Sequence, residues 1–229
     1  NISNTSIGSV VLLSSNSSFY GHNGNHNGAF TLNFNSITNN GGNFYGISDG
    51  NGNITVNISG SFTNAGNVKI INNTGVAGVS NGDAALTVGG LFLQTSGDTR
   101  ILYNVSSKNS GTFTALFGSI QLTGGIFMAQ TACHTAGKEA KLEVTGNFTA
   151  AFVNFTDKFR VASLTSIGTT LNNIFVRFKV YGNLAISGPA SAEFTTSAAS
   201  GAEIVSVTGN LTVTSGALNF NYGTASGAH

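Results

Sequence analysis

Eight carboxylates, four histidines and one cysteine are the whole supply of acid–base, nucleophilic and metal-binding side chains in 229 residues. The acids are Asp49, Asp83, Asp98, Glu139, Glu143, Asp157, Glu193 and Glu203. Glycoside hydrolysis needs two carboxylates held roughly 5–9.5 Å apart, depending on mechanism. No two of these acids are adjacent or one residue apart, so a pair would have to come from different turns of the chain, Asp157 with Glu193 or Glu203 being the best combination. Glu139 and Glu143 alternate with Lys138 and Lys141 and read as a self-neutralised, solvated turn. The expectation is therefore no catalytic site. Asp49-Gly-Asn51-Gly-Asn53 spaces oxygen atoms as the opening of a calcium loop does, but the acid required at its twelfth position falls on Gly60. A Gly/Asn turn is the better reading. His22 and His26 bracket an Asn/Gly run without a cysteine or acid nearby, and Cys133 is alone, so neither a metal site, a cofactor site nor an internal disulfide is expected.

Residues suited to binding are more numerous. Asn-x-Ser/Thr occurs at Asn1, Asn4, Asn16, Asn53, Asn57, Asn72, Asn104, Asn147, Asn154 and Asn210. These are candidate glycan acceptors, although a strand alternating Asn out, Phe in and Thr out creates the same triplet without selection for it. Lys158-Phe159-Arg160 and Arg177-Phe178-Lys179 each place two cations on the face opposite a phenylalanine. Stacked on each other they would gather Lys158, Arg160, Arg177 and Lys179 into a patch for an anionic glycan; the alternative is that the charges protect exposed strands from aggregation.

Those side chains need elements to hold them, and a repeat supplies the elements. Leu142 to Ala150 (LEVTGNFTA) alternates apolar and polar residues about a central glycine, and the pattern recurs around Gly60, Gly89, Gly118, Gly146, Gly182 and Gly209. Successive glycines lie 29, 29, 28, 36 and 27 residues apart. An internal period in this range marks stacked repeats. Since residues i, i+2 and i+4 of a strand share a face, Leu142, Val144, Phe148 and Ala150 point inward with Gly146 between them at a corner. A bulky residue there should clash inside the core. Further segments begin at Gly66, Gly97, Gly125 and Gly216, giving about three short strands per turn. The prediction is an all-β chain folded as a right-handed parallel β-helix, a β-solenoid of about 27–29 residues per turn. A β-sandwich of antiparallel strands is the alternative. Residues 1–50, rich in Asn/Gly clusters, are expected to form an irregular N-terminal cap or extension, and 51–229 the repetitive solenoid.

Asn53 to Ile70 (NITVNISGSFTNAGNVKI), Val144 to Thr149 (VTGNFT) and Val207 to Val213 (VTGNLTV) resemble the haemagglutinin-like adhesins of two-partner secretion and, secondarily, autotransporter passenger domains. The resemblance implies a right-handed parallel β-helix and attachment to cells, to surfaces or to other copies. Charged residues are only 7% of the chain and the net charge is +1. A nucleic-acid site is disfavoured on that ground. No apolar run approaches the ~20 residues of a membrane-spanning helix, and with no initiating Met a processed or partial chain is expected. Together these readings predict a non-enzymatic extracellular protein of the cell surface, structural or adhesive, whose partners are further copies of itself, glycans or a surface receptor. A carbohydrate-binding or carbohydrate-cleaving β-helix is the competing expectation.

Overall fold

The computed structural model describes residues 4–21, 28–48, 52–72, 83–101, 112–131, 139–163, 172–189, 191–196 and 200–222. The strands are β1 (Asn4–Leu12), β2 (Ser18–Tyr20), β3 (Phe30–Asn39), β4 (Asn43–Ser48), β5 (Ile54–Ile58), β6 (Phe62–Asn64), β7 (Asn67–Asn72), β8 (Ala84–Gln94), β9 (Asp98–Ile101) and β10 (Phe113–Leu122). They continue as β11 (Ile126–Thr131), β12 (Glu139–Val144), β13 (Phe148–Ala151), β14 (Lys158–Ser163), β15 (Asn172–Val180), β16 (Leu184–Ser187), β17 (Ser191–Thr196), β18 (Ser200–Val207), β19 (Leu211–Val213) and β20 (Ala217–Tyr222). Every pairing between them is parallel, each strand lying beside its equivalent from the coil before. The fold is the expected β-solenoid, and parallel pairing throughout excludes the antiparallel sandwich. The coil is less uniform than the glycine period suggests. Asn57 bonds to Asn33, 24 residues back, whereas Asn183 bonds to Asn147, 36 residues back.

Two sheets form the walls. The order β2-β4-β7-β9-β11-β14-β17-β20 makes an eight-stranded sheet, and the remaining strands make a twelve-stranded sheet. The twelve-stranded sheet is creased lengthwise, because halves such as β5 and β6, or β12 and β13, are separated at the recurring glycine. A cross-section therefore has three faces. The first 50 residues, expected to be irregular, contribute β1 to β4 to the same two sheets in the same parallel order.

Alternation sets what lies inside. Leu142, Val144, Phe148 and Ala150 are buried, as the pattern requires. Phenylalanines meet both in register along a wall and across the interior: Phe19, Phe44, Phe62, Phe92, Phe127, Phe159 and Phe178 form a chain of contacting rings with centroids 5.1–5.7 Å apart. Most of these contacts are edge-to-face or tilted, the geometry the ring quadrupole favours. A buried amide column occupies the corner between the second and third faces. Asn39 Nδ2 donates to Asn64 Oδ1 at 2.9 Å and to the Gly42 carbonyl at 3.0 Å. Asn64 Nδ2 donates to the Gly66 carbonyl and to Thr99 Oγ1, and Gln94 Nε2 to the carbonyls of Gly124 and Ile126. The carbonyls of Gly42 and Gly66 also accept from Asn67 N and Asp98 N, so these side chains add a second donor at the corner and satisfy amide groups that are themselves buried.

The six recurring glycines serve a purpose other than the one inferred from their inward position. None of them has the left-handed backbone found at Gly97, Gly125 and Gly216. A Cβ at Gly146 would stand 2.7 Å from the carbonyl oxygen of Gly118, and one at Gly60 would stand 2.6 Å from that of Asn35. The obstruction is thus the backbone of the preceding coil, and the core is not involved. Gly8 occupies the corresponding bend in β1, where an added Cβ meets nothing within 4 Å.

Two outcomes follow for stability, read from denaturant midpoints. Gly146→Ala should lower it by roughly 1–3 kcal/mol or more, as overpacking does, while Gly8→Ala leaves it unchanged or raises it by up to about 1 kcal/mol. Phe92→Ala, which removes a ring touching Phe62, Phe117 and Phe127, should cost about 3–5 kcal/mol.

Candidate functional site

The richest outward-facing surface is the N-terminal half of the eight-stranded sheet. Four segments share one pattern there: Ser18-Phe19-Tyr20, Asn43-Phe44-Tyr45, Asn67-Val68-Lys69 and Asp98-Thr99-Arg100. The middle residue of each points inward, so the flanking residues form two outer columns in register. One column is Ser18, Asn43, Asn67 and Asp98; the other is Tyr20, Tyr45, Lys69 and Arg100.

The columns are cross-linked. Asn43 Nδ2 donates to Ser18 Oγ at 3.2 Å, and Asn43 Oδ1 accepts from Asn67 Nδ2 at 3.0 Å and from the Tyr45 hydroxyl at 3.1 Å. The Tyr20 and Tyr45 rings meet edge-on at 5.3 Å, with Tyr20 53% exposed. Lys69 Nζ stands 5.2 Å from the Tyr45 ring centroid, within cation–π range. Arg100 holds Asp98 through Nε at 2.8 and 3.0 Å and through Nη2 at 2.7 Å. Burial raises the Tyr45 phenol above its ordinary value, with Tyr20 and Asp98 adding to the effect. Tyr45 is therefore a neutral hydroxyl at physiological pH. Aromatic faces, amides and an ammonium group are thus fixed side by side on one outer wall, an arrangement suited to binding.

The four cations expected to form one patch are divided between walls. Lys158 and Arg160 lie on β14, which pairs with β11 and β17; Arg177 and Lys179 lie on β15, which pairs with β12 and β18. Stacking unites residues one coil apart, and β14 and β15 are successive strands that enter different sheets. Lys179 Nζ lies 4.1 Å from the Tyr181 ring centroid. Of the Asn-x-Ser/Thr sites, Asn16, Asn53, Asn147, Asn154 and Asn210 are exposed, and Asn57 is half-buried and bonded to Asn33. Asn4 and Asn72 fall within β1 and β7. Asn1, Asn104, His22, His26, Asp49, Asn51 and Cys133 lie outside the described residues.

Asp83, Asp98, Glu143 and Asp157 have structural employment. Asp157 is 5% exposed. Its Oδ1 accepts from Gly125 N at 2.9 Å, and its Oδ2 from Asn154 N at 2.9 Å and Val153 N at 3.3 Å. Asp83 Oδ1 accepts from the backbone and hydroxyl of Thr112 at 2.7 and 2.8 Å. Glu143 pairs with Lys141 at 3.1 Å, within a strand where a turn was expected. In the pairing register Glu193 falls beside Arg160 and Glu203 beside Val176, in different sheets. Elsewhere, an open cleft of about 320 Å³ beside the crease is lined by Ser6, Asn33, Asn57, Ser59, Thr87 and Gly89, without a charged group.

The chain matches no family model, and neither a curated protein nor a solved structure matches it. The resemblance to secreted adhesins accordingly reaches as far as the parallel β-solenoid. Among the described residues no helix is long and apolar enough to cross a membrane.

If Asp157 is a turn-holding carboxylate, Asp157→Ala should cost about 3 kcal/mol of stability, since hydrogen bonds to a charged group contribute about 1.5–3 kcal/mol each. Asp157→Asn, which retains an acceptor oxygen, should lose less, the two being compared by urea unfolding.

Proposed function

We propose that the protein is a non-enzymatic structural or adhesive protein of the extracellular surface, whose solenoid walls present ladders of polar side chains to a partner. The observation that carries this reading is the commitment of the carboxylates. Asp83, Asp98, Glu143 and Asp157 each satisfy a neighbouring strand, turn or cation, and no two of them share a partner across a common space. Low charge combined with outward Asn, Ser and Thr supports an exported surface role, because these residues keep the walls wet without long-range fields. Exposed Asn-x-Ser/Thr sites, at Asn147 and Asn210 among others, are compatible with glycan attachment there.

Self-association into a fibre is the particular form favoured by the C-terminal coil. Leu211 and Val213 continue the inward column of Leu184 and Ile186, yet are 50% and 43% exposed. Among the described residues no strand pairs with the outer edges of β18, β19 or β20. Of the residues in the edge strands β1, β2, β18, β19 and β20 only Glu203 is charged. Edges of this kind pair with further strands unless charge or proline prevents it. Light scattering and negative-stain microscopy over a concentration series should show end-to-end association, abolished by Leu211→Lys with Val213→Lys. A monomer at every concentration would remove the fibre from the proposal.

A further inference from the structure

We infer that the outer face of the eight-stranded sheet, from Tyr20 to Arg100, is a binding track for an extended acidic polysaccharide lying along the solenoid axis. The inference rests on the non-enzymatic surface reading and names the partner of one wall.

The argument begins with geometry. One row of the two columns belongs to each coil, and parallel strands lie about 4.8 Å apart, so the four rows from Ser18/Tyr20 to Asp98/Arg100 span roughly 14 Å. A ligand crossing the coils meets a polar residue beside an aromatic or cationic one at each step, which suits an extended chain better than a compact molecule.

The chemistry then narrows the class of polymer. Tyr20 and Tyr45 present ring surface against which the apolar face of a sugar ring can lie, and the Tyr45 hydroxyl, whose proton goes to Asn43 Oδ1, keeps acceptor capacity for a sugar hydroxyl. Beside them Ser18, Asn43 and Asn67 form a neutral column of hydroxyl and amide groups, the complement of sugar hydroxyls. A protein partner fits less well. Protein interfaces of standard size have a depleted-charge, apolar centre, whereas every tyrosine here is bordered by polar residues.

Charge selects an acidic chain over a neutral one. In the strands of the eight-stranded sheet the charged residues are Lys69, Arg100, Lys158 and Arg160 against Asp98 and Glu193. Those of the twelve-stranded sheet balance, with Lys141, Arg177 and Lys179 against Glu139, Glu143 and Glu203. The positive excess therefore lies on the wall that carries the tyrosines. Lys69 is its centre: it stands over the Tyr45 ring at 5.2 Å, between the aromatic rows and the Asp98–Arg100 pair. A carboxylate or sulfate on a sugar seated against Tyr45 would fall beside this ammonium group.

The test measures binding of the whole chain to polygalacturonate and to dextran by affinity electrophoresis and calorimetry, at low and at physiological salt. Wild type should bind polygalacturonate more tightly than dextran, with an affinity that falls as salt rises. Lys69→Gln should weaken polygalacturonate binding about tenfold, a loss of about 1.4 kcal/mol, and remove the preference over dextran. Tyr20→Ala and Tyr45→Ala should weaken both polymers. Lys141→Gln, on the other sheet, should change nothing, and circular dichroism should show every variant folded. Absence of binding by wild type, or binding untouched by Lys69→Gln and both tyrosine variants, overturns the inference and leaves this face to a protein partner. Chain lengths of the polymers are followed in parallel. Cleavage would overturn the non-enzymatic reading whatever the binding result, whereas polymer that is uncut and unbound rejects the track alone.

Discussion

Parallel strands pair about 4.8 Å apart, and in this molecule nearly every residue takes as its neighbour the equivalent residue of the next coil. A side chain must therefore be compatible with a near copy of itself on either side. Phenylalanine meets that condition inside, because one ring can offer its edge to the face of the next, as Phe62 and Phe92 do in register. Glycine meets it at the crease, where the carbonyl of one coil occupies the space a Cβ on the next would need. Asparagine meets it at the corner, because its amide can donate to one coil and accept from another.

The same condition accounts for the scarcity of charge. Like charges directly opposite each other across strands are destabilising, so a repeated Lys or Asp position would repel itself along the whole solenoid. Several of the charges have local relief, although Lys69 lies opposite Arg100 and Lys141 opposite Arg177. Lys141 has Glu143, Arg100 has Asp98, and Lys69 and Lys179 each stand against a tyrosine ring. Carboxylates are then left to neutralise cations or fasten turns, as Asp157 does. Scarcity of acid–base residues in this chain thus has a structural cause as well as a functional consequence.

Much of this architecture is legible in the amino-acid order. The alternation around Gly146 identifies the inward residues correctly, and the glycine period identifies stacking. What escapes is whatever depends on a neighbour in another coil. The reason for glycine at position 146 lies in the carbonyl of Gly118, and so cannot be read from its own strand. Asn39 and Asn64 look like turn residues because Asn is common in turns, and only the register places them inside. The first 50 residues seem irregular for a similar reason: their Asn/Gly clusters hide strands whose partners lie in the next coil. Tyr20, Tyr45, Lys69 and Arg100 are separated by unequal loops, so the column they form has no fixed spacing. The repeated triplet of polar, inward and aromatic or cationic residues was the available signal. Lys158, Arg160, Arg177 and Lys179 show the opposite error, in which closeness along the chain is taken for closeness in space.

A stack of near-identical coils carries an ambiguity that its apolar core cannot resolve, since a strand displaced by one whole coil would still bury valine against phenylalanine. The buried amides break that degeneracy. In the inward column at the corner, the chain runs Leu12, then Asn39, Asn64 and Gln94, then Leu122, Ala150, Ile186 and Val213. A slip of one coil would part Asn64 from Asn39 and Thr99 and strand those hydrogen bonds, at about 1–3 kcal/mol for each group left unsatisfied. The three successive amides therefore number the coils, marking where in the stack each belongs.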